Sequence, residues 1–86
     1  MRAEMETLQV EEKVVTMLAD VLQTPPEKIT DELTMKDLEV WDSLKHMELV
    51  ASLEQTFGVE LTFDEIVAMQ SVGEIKRVLR SKGLAA

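Results

Sequence analysis

Asp42, Ser43 and His46 bring together the three side-chain types used in nucleophilic hydrolysis. Ser43 and His46 are three positions apart and would therefore share one face of a helix. Asp42, however, is adjacent to the serine rather than behind the imidazole, and no second segment is evident that would supply an oxyanion hole. Catalysis is therefore not expected, and the chain is predicted not to be an enzyme.

The same short segment also raises the question of a metal site. Asp42 and His46 are separated by four positions, the spacing of two ligands on one helix face. Two ligands on an exposed helix make a poor site, because metal ions in proteins usually take three or four protein ligands. No metal is predicted here.

Ser43 lies where a long connection meets the start of a predicted helix. The first turn of a helix offers free backbone amides and a partial positive charge, and both suit a phosphate group. The simpler interpretation is that Asp42 or Ser43 only caps the helix, since both side chains offer an oxygen to those amides. Spacing alone favours the cap over a modified serine.

Length and charge restrict the class of protein. The chain of 86 residues predicts one domain with a thin core and little room for a deep catalytic cleft. Its net charge of −8 should repel nucleic acid and anionic lipid. The basic residues near position 80 are expected to complement the C-terminal end of the last helix rather than to bind nucleic acid. Any partner steered by charge should present a basic surface.

The cellular location of the protein is predicted from features that the sequence lacks. There is no cysteine, so the chain contains neither a disulfide nor a zinc-thiolate site. No apolar run approaches the roughly 20 residues of a transmembrane helix, and the first 15 residues lack the basic region of a signal peptide. A soluble, cytoplasmic monomer without membrane insertion is expected.

Apolar spacing predicts an all-α fold, a small four-helix bundle with three main helices and one short helix in a single domain, 1–86. The helices are expected at about 4–22, 43–57, 63–69 and 72–82. Pro25 and Pro26 should close the first helix, Gly58 the second and Gly83 the last. The apolar residues expected to face inward in the first helix are Met5, Leu8, Val14, Val15, Leu18, Val21 and Leu22.

The remaining elements are predicted in the same way. The connection 23–42 should be ordered, because four apolar residues could pin it to the core: Ile29, Leu33, Met35 and Leu38. The second helix is expected to bury one stripe: Leu44, Met47, Val50, Leu53 and Phe57. The short helix should use Phe63, Ile66, Val67 and Met69, and the last helix Val72, Ile75, Val78 and Leu79.

The chain resembles the acyl carrier protein family in several segments. The run Val40–Leu44, VWDSL, is similar to the family's phosphopantetheine attachment motif, and it is followed by Met47–Val50 and Leu53–Glu54. Phe57–Leu61 resembles the family's segment after the second helix, and Gln70–Ile75 resembles its link into the last helix. The resemblance extends over the whole chain, which is far more specific than an Asp-Ser-Leu triplet alone.

This resemblance implies a function. Ser43 would accept 4′-phosphopantetheine from coenzyme A through a separate phosphopantetheinyl transferase, with Asp42 and Leu44 as recognition neighbours. Acyl groups would then be carried as thioesters on the cofactor's thiol, so that a chain without cysteine could do thiol chemistry. The other partners implied are acyl-loading enzymes and acyl-transfer or condensing enzymes.

Departures from the family pattern indicate a dedicated pathway, such as lipid or polyketide synthesis, rather than the housekeeping fatty-acid carrier. Val40 replaces a frequent glycine, Trp41 a small residue, and Thr62 a frequent proline, while Lys45 and His46 stand where fatty-acid carriers are often more acidic. A peptidyl or aminoacyl carrier and an unmodified helical adaptor remain as alternatives.

Partner contacts are expected at the exposed start of the second helix, through Leu44, Lys45, Met47 and Glu48. Trp41 is expected to pack against the bundle, with a partner contact as the alternative. His46 is predicted to be a solvated residue on the partner-facing side. Among the methionines, Met5 and Met17 are interpreted as core residues, while Met47 and Met69 are candidates for opening a space for an acyl chain.

Overall fold

A computed structural model describes the backbone of residues 2–83 and the side chains of residues 10–83. In this range the helices are α1 (Arg2–Leu22), α2 (Ser43–Phe57), α3 (Phe63–Ala68) and α4 (Val72–Ser81), with short 3₁₀ turns at Pro26–Lys28 and Met35–Asp37. Over residues 2–83 the only β pairing is one isolated bridge between Thr34 and Ser71. The predicted all-α class, with three main helices and one short one, is confirmed. The side chains of Met5 and Leu8 lie outside the described residues, so the prediction that they face inward stays a prediction.

The core is built from α1, α2, α4 and the connections between them. Its buried apolar residues are Val14, Leu18, Leu22, Ile29, Trp41, Leu49, Val50, Leu53, Leu61, Met69, Val72, Ile75, Val78 and Leu79. The short helix α3 contributes no fully buried residue. It is therefore held less by burial than the other helices are.

The buried face of α2 differs from the predicted stripe. Leu44 is 71% exposed and Met47 is 54% exposed, whereas Leu49 is fully buried. The helix thus packs through the neighbouring face, which the sequence pattern did not indicate because one of its members is the polar His46. On α3, Phe63 and Val67 are likewise exposed rather than inward.

The ends of α1 and α2 both use a left-handed residue. Thr24 N–H donates to the Ala19 carbonyl at 3.0 Å and Gln23 N–H to the Asp20 carbonyl at 3.4 Å, the two bonds of a Schellman motif. Gln23 has φ 52°, a conformation that usually selects glycine. The α1 helix therefore ends at Leu22 through this motif, before the proline pair is reached. Gly58 ends α2 with φ 63°.

The long connection is ordered by hydrogen bonds to the segment that leads into α4. Met35 N–H donates to the Gln70 carbonyl, and the amides of Val72 and Gly73 donate to the Leu33 and Asp31 carbonyls, each at 3.0 Å. We call these three bonds the seam. Lys76 Nζ lies 2.7 Å from the Asp31 carboxylate and reinforces it. Within the described residues, Lys76 of the basic C-terminal stretch is therefore engaged in an ion pair, as are Arg77 with Glu74 and Lys82 with Glu65.

Candidate functional site

Asp42 and Ser43 have separate roles at the start of α2. The Asp42 carboxylate accepts a hydrogen bond from Lys45 N–H at 2.9 Å, and the Asp42 carbonyl accepts one from His46 N–H at 2.8 Å. Asp42 is therefore the cap, and Ser43 is the first residue of the helix. The Ser43 side chain is exposed. Its hydroxyl is not required for capping, so it stays available for chemistry.

Trp41 fixes the approach of the long connection to this helix. Its side chain is only 2% exposed, and its backbone N–H donates to the Leu38 carbonyl at 3.1 Å. The packing interpretation is correct, and the alternative that Trp41 touches partner enzymes is wrong for this conformation, because the ring is part of the core. Since Trp41 immediately precedes Asp42, it anchors the cap and the serine that follows.

His46 is buried, which corrects the expectation of a solvated side chain. It is 7% exposed. Trp41 Nε1–H donates to His46 Nδ1 at 3.1 Å, and the Ile66 carbonyl oxygen lies 2.9 Å from His46 Nε2. Both ring nitrogens are thus occupied by groups other than the Ser43 hydroxyl, so the arrangement does not form a hydrolytic triad. His46 instead connects the long connection, α2 and α3.

A cavity of about 250 Å³ opens beside Ser43. Its walls are mainly apolar and come from the long connection, α2 and α3: Met35, Ser43, His46, Met47, Ile66, Val67 and Gln70. Met47 lies on this cavity as expected, whereas Met69 is fully buried in the core. A larger groove of about 800 Å³ lies along α1 and reaches Thr56 of α2, but Ser43 is not among the residues that line it.

An exposed surface surrounds the serine. Leu44 and Met47 project from α2, and the nearby Val67 on α3 is 49% exposed. Lys45 Nζ and the Glu48 carboxylate form an ion pair at 3.1 Å on the same part of α2. Val67 was not predicted to be exposed. Its four-residue spacing from Phe63, which is also exposed, indicates in retrospect that one side of α3 faces outward.

The N-terminus of α3 is stabilised by Glu65. Its carboxylate accepts a hydrogen bond from Thr62 N–H at 2.9 Å, and Thr62 Oγ1 in return accepts one from Glu65 N–H at 3.2 Å, which completes a capping box. Lys82 Nζ of the α4 end lies 2.7 Å from the same carboxylate. The hydrogen bond from Lys82, followed by that from Thr62, lowers the pKa of Glu65 below its ordinary value.

Two further observations concern metal binding and membrane crossing. Among the side chains described, those of residues 10–83, no group of three acidic or histidine residues is arranged to hold a metal ion. None of the helices described combines the length and hydropathy that a membrane crossing requires.

Comparison with known proteins assigns the family. The model of the phosphopantetheine attachment site family matches residues 12–79. The chain is 34% identical over 71 residues to an acyl carrier protein of Thermosynechococcus vestitus, covering 83% of this chain and 88% of that protein. It is 36% identical over 70 residues to an acyl carrier protein of Lactobacillus johnsonii, covering 80% and 86%.

A solved structure agrees with these sequence matches. A Mycobacterium tuberculosis protein to which an acyl carrier role is ascribed superimposes with a TM-score of 0.76 at 25% identity, covering 84% of this chain and 96% of the other. The family match spans the second half of α1, all of α2 and α3, and most of α4. The chain belongs to the acyl carrier protein family.

Proposed function

We propose that Ser43 carries 4′-phosphopantetheine, and that this protein holds acyl intermediates as thioesters on the cofactor's terminal thiol and presents them to partner enzymes. The observation that carries the proposal is the division of roles at the start of α2. Asp42 supplies the cap, so the exposed Ser43 hydroxyl can be modified without loss of the helix end.

The surroundings of Ser43 fit a phosphodiester. The Lys45 and His46 amides already donate to Asp42. The amides of Ser43 and Leu44, which precede them in the first turn, have no intrahelical acceptor because of their position. These N–H groups and the positive end of the helix dipole would stabilise the negative charge of a phosphate placed there.

The attachment reaction is a phosphoryl-type transfer assisted by a separate enzyme. The Ser43 oxygen forms a bond to the phosphorus that bears pantetheine in coenzyme A. The phosphoanhydride bond breaks, adenosine 3′,5′-bisphosphate leaves, and the hydroxyl proton passes to a base on the transferase. This chain contributes an accessible hydroxyl on a rigid helix start, since its own His46 has no free ring nitrogen to act as the base.

The cavity beside Ser43 supports a role in sheltering cargo. Its lining is mostly apolar, and Met47 is a flexible side chain at its edge. We propose that a short acyl group can enter this cavity from the cofactor arm. Comparison of NMR shifts for the free-thiol and acylated forms tests the point, and an unmoved Met47 methyl signal would contradict it.

Partner enzymes are proposed to dock on the exposed start of α2, through Leu44, Lys45, Met47 and Glu48. Leu44 and Met47 are apolar and exposed, while Lys45 and Glu48 are charged, so the four side chains offer both contact area and charge recognition. A carrier visits several enzymes in turn, which favours small, transient interfaces. Docking steered by charge should weaken as salt concentration rises.

The pathway proposed is a dedicated one, such as lipid or polyketide synthesis, in which the chain acts as a cytoplasmic monomer. The departures from the commoner family pattern support this choice, and two of them, Trp41 and His46, are hydrogen-bonded to each other in the fold. An aminoacyl or peptidyl cargo is the second candidate, since the arm and the attachment site would be the same.

Intact mass spectrometry tests the proposal. The purified chain is incubated with coenzyme A, Mg²⁺ and a broad-specificity phosphopantetheinyl transferase. We expect a single mass gain of one phosphopantetheine that is absent in Ser43→Ala and retained in Ser81→Ala, a matched control at an exposed serine on α4. No gain in a chain shown to be folded would overturn the proposal and favour an unmodified adaptor.

A further inference from the structure

His46 is the one side chain in the described part of α2 that hydrogen-bonds both to the long connection and to α3. Trp41 Nε1 lies 3.1 Å from its Nδ1, and the Ile66 carbonyl oxygen lies 2.9 Å from its Nε2. The indole and imidazole rings are tilted by 31° with centroids 6.2 Å apart. We call this set of two bonds the Trp41–His46–Ile66 clamp.

The chemistry of the two partners determines the form of the imidazole. An indole N–H can only donate and a carbonyl oxygen can only accept. His46 must therefore accept at Nδ1 and donate from Nε2, which is the neutral tautomer protonated at Nε2. The other tautomer would place two donors opposite each other at Trp41 and leave the Ile66 carbonyl facing a lone pair.

The clamp contacts α3 at the middle of the helix. The six-residue helix buries none of its own residues fully. Its N-terminal end is held by the Glu65 carboxylate through Thr62 and Lys82, while the clamp reaches Ile66 in the middle of the helix. Ile66 and Val67 also form the α3 wall of the cavity beside Ser43. A bond at Ile66 thus acts directly on that wall.

We propose that His46 is a positioning residue that holds α3 against α2 and thereby sets the width of the cavity beside Ser43. The effect of the cavity width on acyl groups rests on the proposed function, whereas the clamp itself is a property of the unmodified chain. At about 250 Å³ the cavity is slightly below the ~300–1,000 Å³ of ordinary small-molecule sites. With the clamp closed, the protein should shelter short acyl groups and exclude long ones.

The first experiment uses the unmodified chain. NMR correlation of the His46 ring should show a proton on Nε2 and a bare Nδ1. In His46→Leu, exchange of the Met69 amide, which donates to Glu65 and Ile66, should speed up about 3- to 10-fold, the effect of one lost hydrogen bond. Exchange in the middle of α2, at Leu53, should change much less. Unchanged Met69 exchange, or equal acceleration at both amides, would overturn the proposal.

Two further variants separate positioning from simple loss of stability. His46→Gln should restore most of the protection at Met69, because a carboxamide can also accept from Trp41 and donate to Ile66. Gln70→Ala is the matched control, since Gln70 lines the same cavity but its side chain hydrogen-bonds to the Val67 carbonyl and not to His46, and it should leave Met69 exchange unchanged. If His46→Leu does not fold, Trp41→Phe removes one bond of the clamp and should give a smaller acceleration.

The second experiment uses the chain loaded with butyryl or decanoyl phosphopantetheine. In the wild type, the butyryl form should shift the Val67 methyl signals and the decanoyl form should not. In His46→Leu both forms should shift them. Equal responses of wild type and variant would overturn the link between clamp and cavity. A chain that cannot be modified at Ser43 would instead contradict the proposed function and leave the first experiment valid.

Discussion

The Asp42 carboxylate lies 2.9 Å from the backbone nitrogen of Lys45, and this contact caps α2 one residue before Ser43. The two neighbouring polar residues thus have different roles at the helix start. Asp42 caps the helix, and Ser43 is its exposed first residue. Their substitutions should therefore have different effects on stability and on modification.

Asp42→Ala is expected to lower the free energy of unfolding by about 1 kcal/mol, the usual effect of losing an N-cap. Asp42→Asn should retain most of the wild-type stability because asparagine caps equally well. Ser43→Ala should lower the stability far less than Asp42→Ala does. Urea denaturation measures all three. A loss for Ser43→Ala as large as that for Asp42→Ala would show that the hydroxyl, rather than the carboxylate, holds the helix end.

Leu44 and Leu49 are expected to respond oppositely to truncation. Leu49→Ala removes a fully buried side chain and should lower the free energy of unfolding by about 2–5 kcal/mol. Leu44→Ala should change it by less than about 0.5 kcal/mol but reduce the rate of modification by the transferase. Denaturation and mass spectrometry give the two readouts. A strongly destabilised Leu44→Ala would show that Leu44 is buried, as the apolar stripe in the sequence predicts.

The ion pair between Lys45 and Glu48 is expected to matter for docking rather than for stability. Reversal of both charges, Lys45→Glu with Glu48→Lys, should change the free energy of unfolding by less than about 0.5 kcal/mol and slow turnover by a partner enzyme. The matched control is the reversal of Glu74 and Arg77, an ion pair of the same spacing on α4. Unchanged turnover with the true partner would refute docking at this pair.

Glu65 is expected to make the stability pH-dependent. Its pKa in the folded protein lies below the ordinary value of 4.5, so its contribution is present above pH 4.5 and is lost as the pH falls through the lowered folded pKa. Glu65→Gln keeps an acceptor for Thr62 but removes the charge facing Lys82. The wild type should melt at a higher temperature than Glu65→Gln at pH 7.

The matched control for this titration is Glu60→Gln, an exposed acidic residue outside the four ion pairs of the described residues. Thermal unfolding monitored by circular dichroism at several pH values gives the comparison. The difference between wild type and Glu65→Gln should shrink below pH 4.5, whereas Glu60→Gln should follow the wild type throughout. A difference that grows on acidification would contradict the sign of the pKa shift.

Gln23 offers a stabilising substitution. It has φ 52° at the end of α1, where a side chain carries a cost that glycine avoids. Gln23→Gly should raise the free energy of unfolding by up to about 1 kcal/mol. The gain is reduced by loss of the hydrogen bond that the Gln23 side chain donates to the Asp20 carbonyl. Gln23→Ala keeps the strained φ without that bond and should be destabilised. Denaturant midpoints that rank the alanine variant above glycine would contradict this account.

Local chemistry was enough to predict the start of α2 and its end at Gly58, because both depend on residues within one helical turn. It did not decide between Asp42 and Ser43 as the cap, since both residue types serve equally well. Two adjacent faces of α2 also contain apolar residues, and the period of 3.6 alone cannot choose between them. The face carrying Leu49 is buried because it meets the other helices.

Burial of His46 depends on partners that sequence spacing does not reveal. The Ile66 carbonyl is 20 residues away along the chain, and it becomes an acceptor for the imidazole only when α3 packs beside α2. The same holds for the ion pair between Glu65 of α3 and Lys82, which directly follows α4. A buried polar group is favourable only if such long-range bonds form, so its position follows from the complete fold rather than from any local pattern.

The seam has a consequence for the timing of biosynthesis. It joins Asp31, Leu33 and Met35 to residues 70–73, and Ser43 lies between its two sides. Ribosomes deliver the N-terminal part of a chain first, so the serine leaves the ribosome before the C-terminal side of the seam does. We expect a nascent chain to be a poor substrate for the transferase until α4 has emerged, and cofactor loading to follow the emergence of α4 rather than exposure of the attachment motif alone.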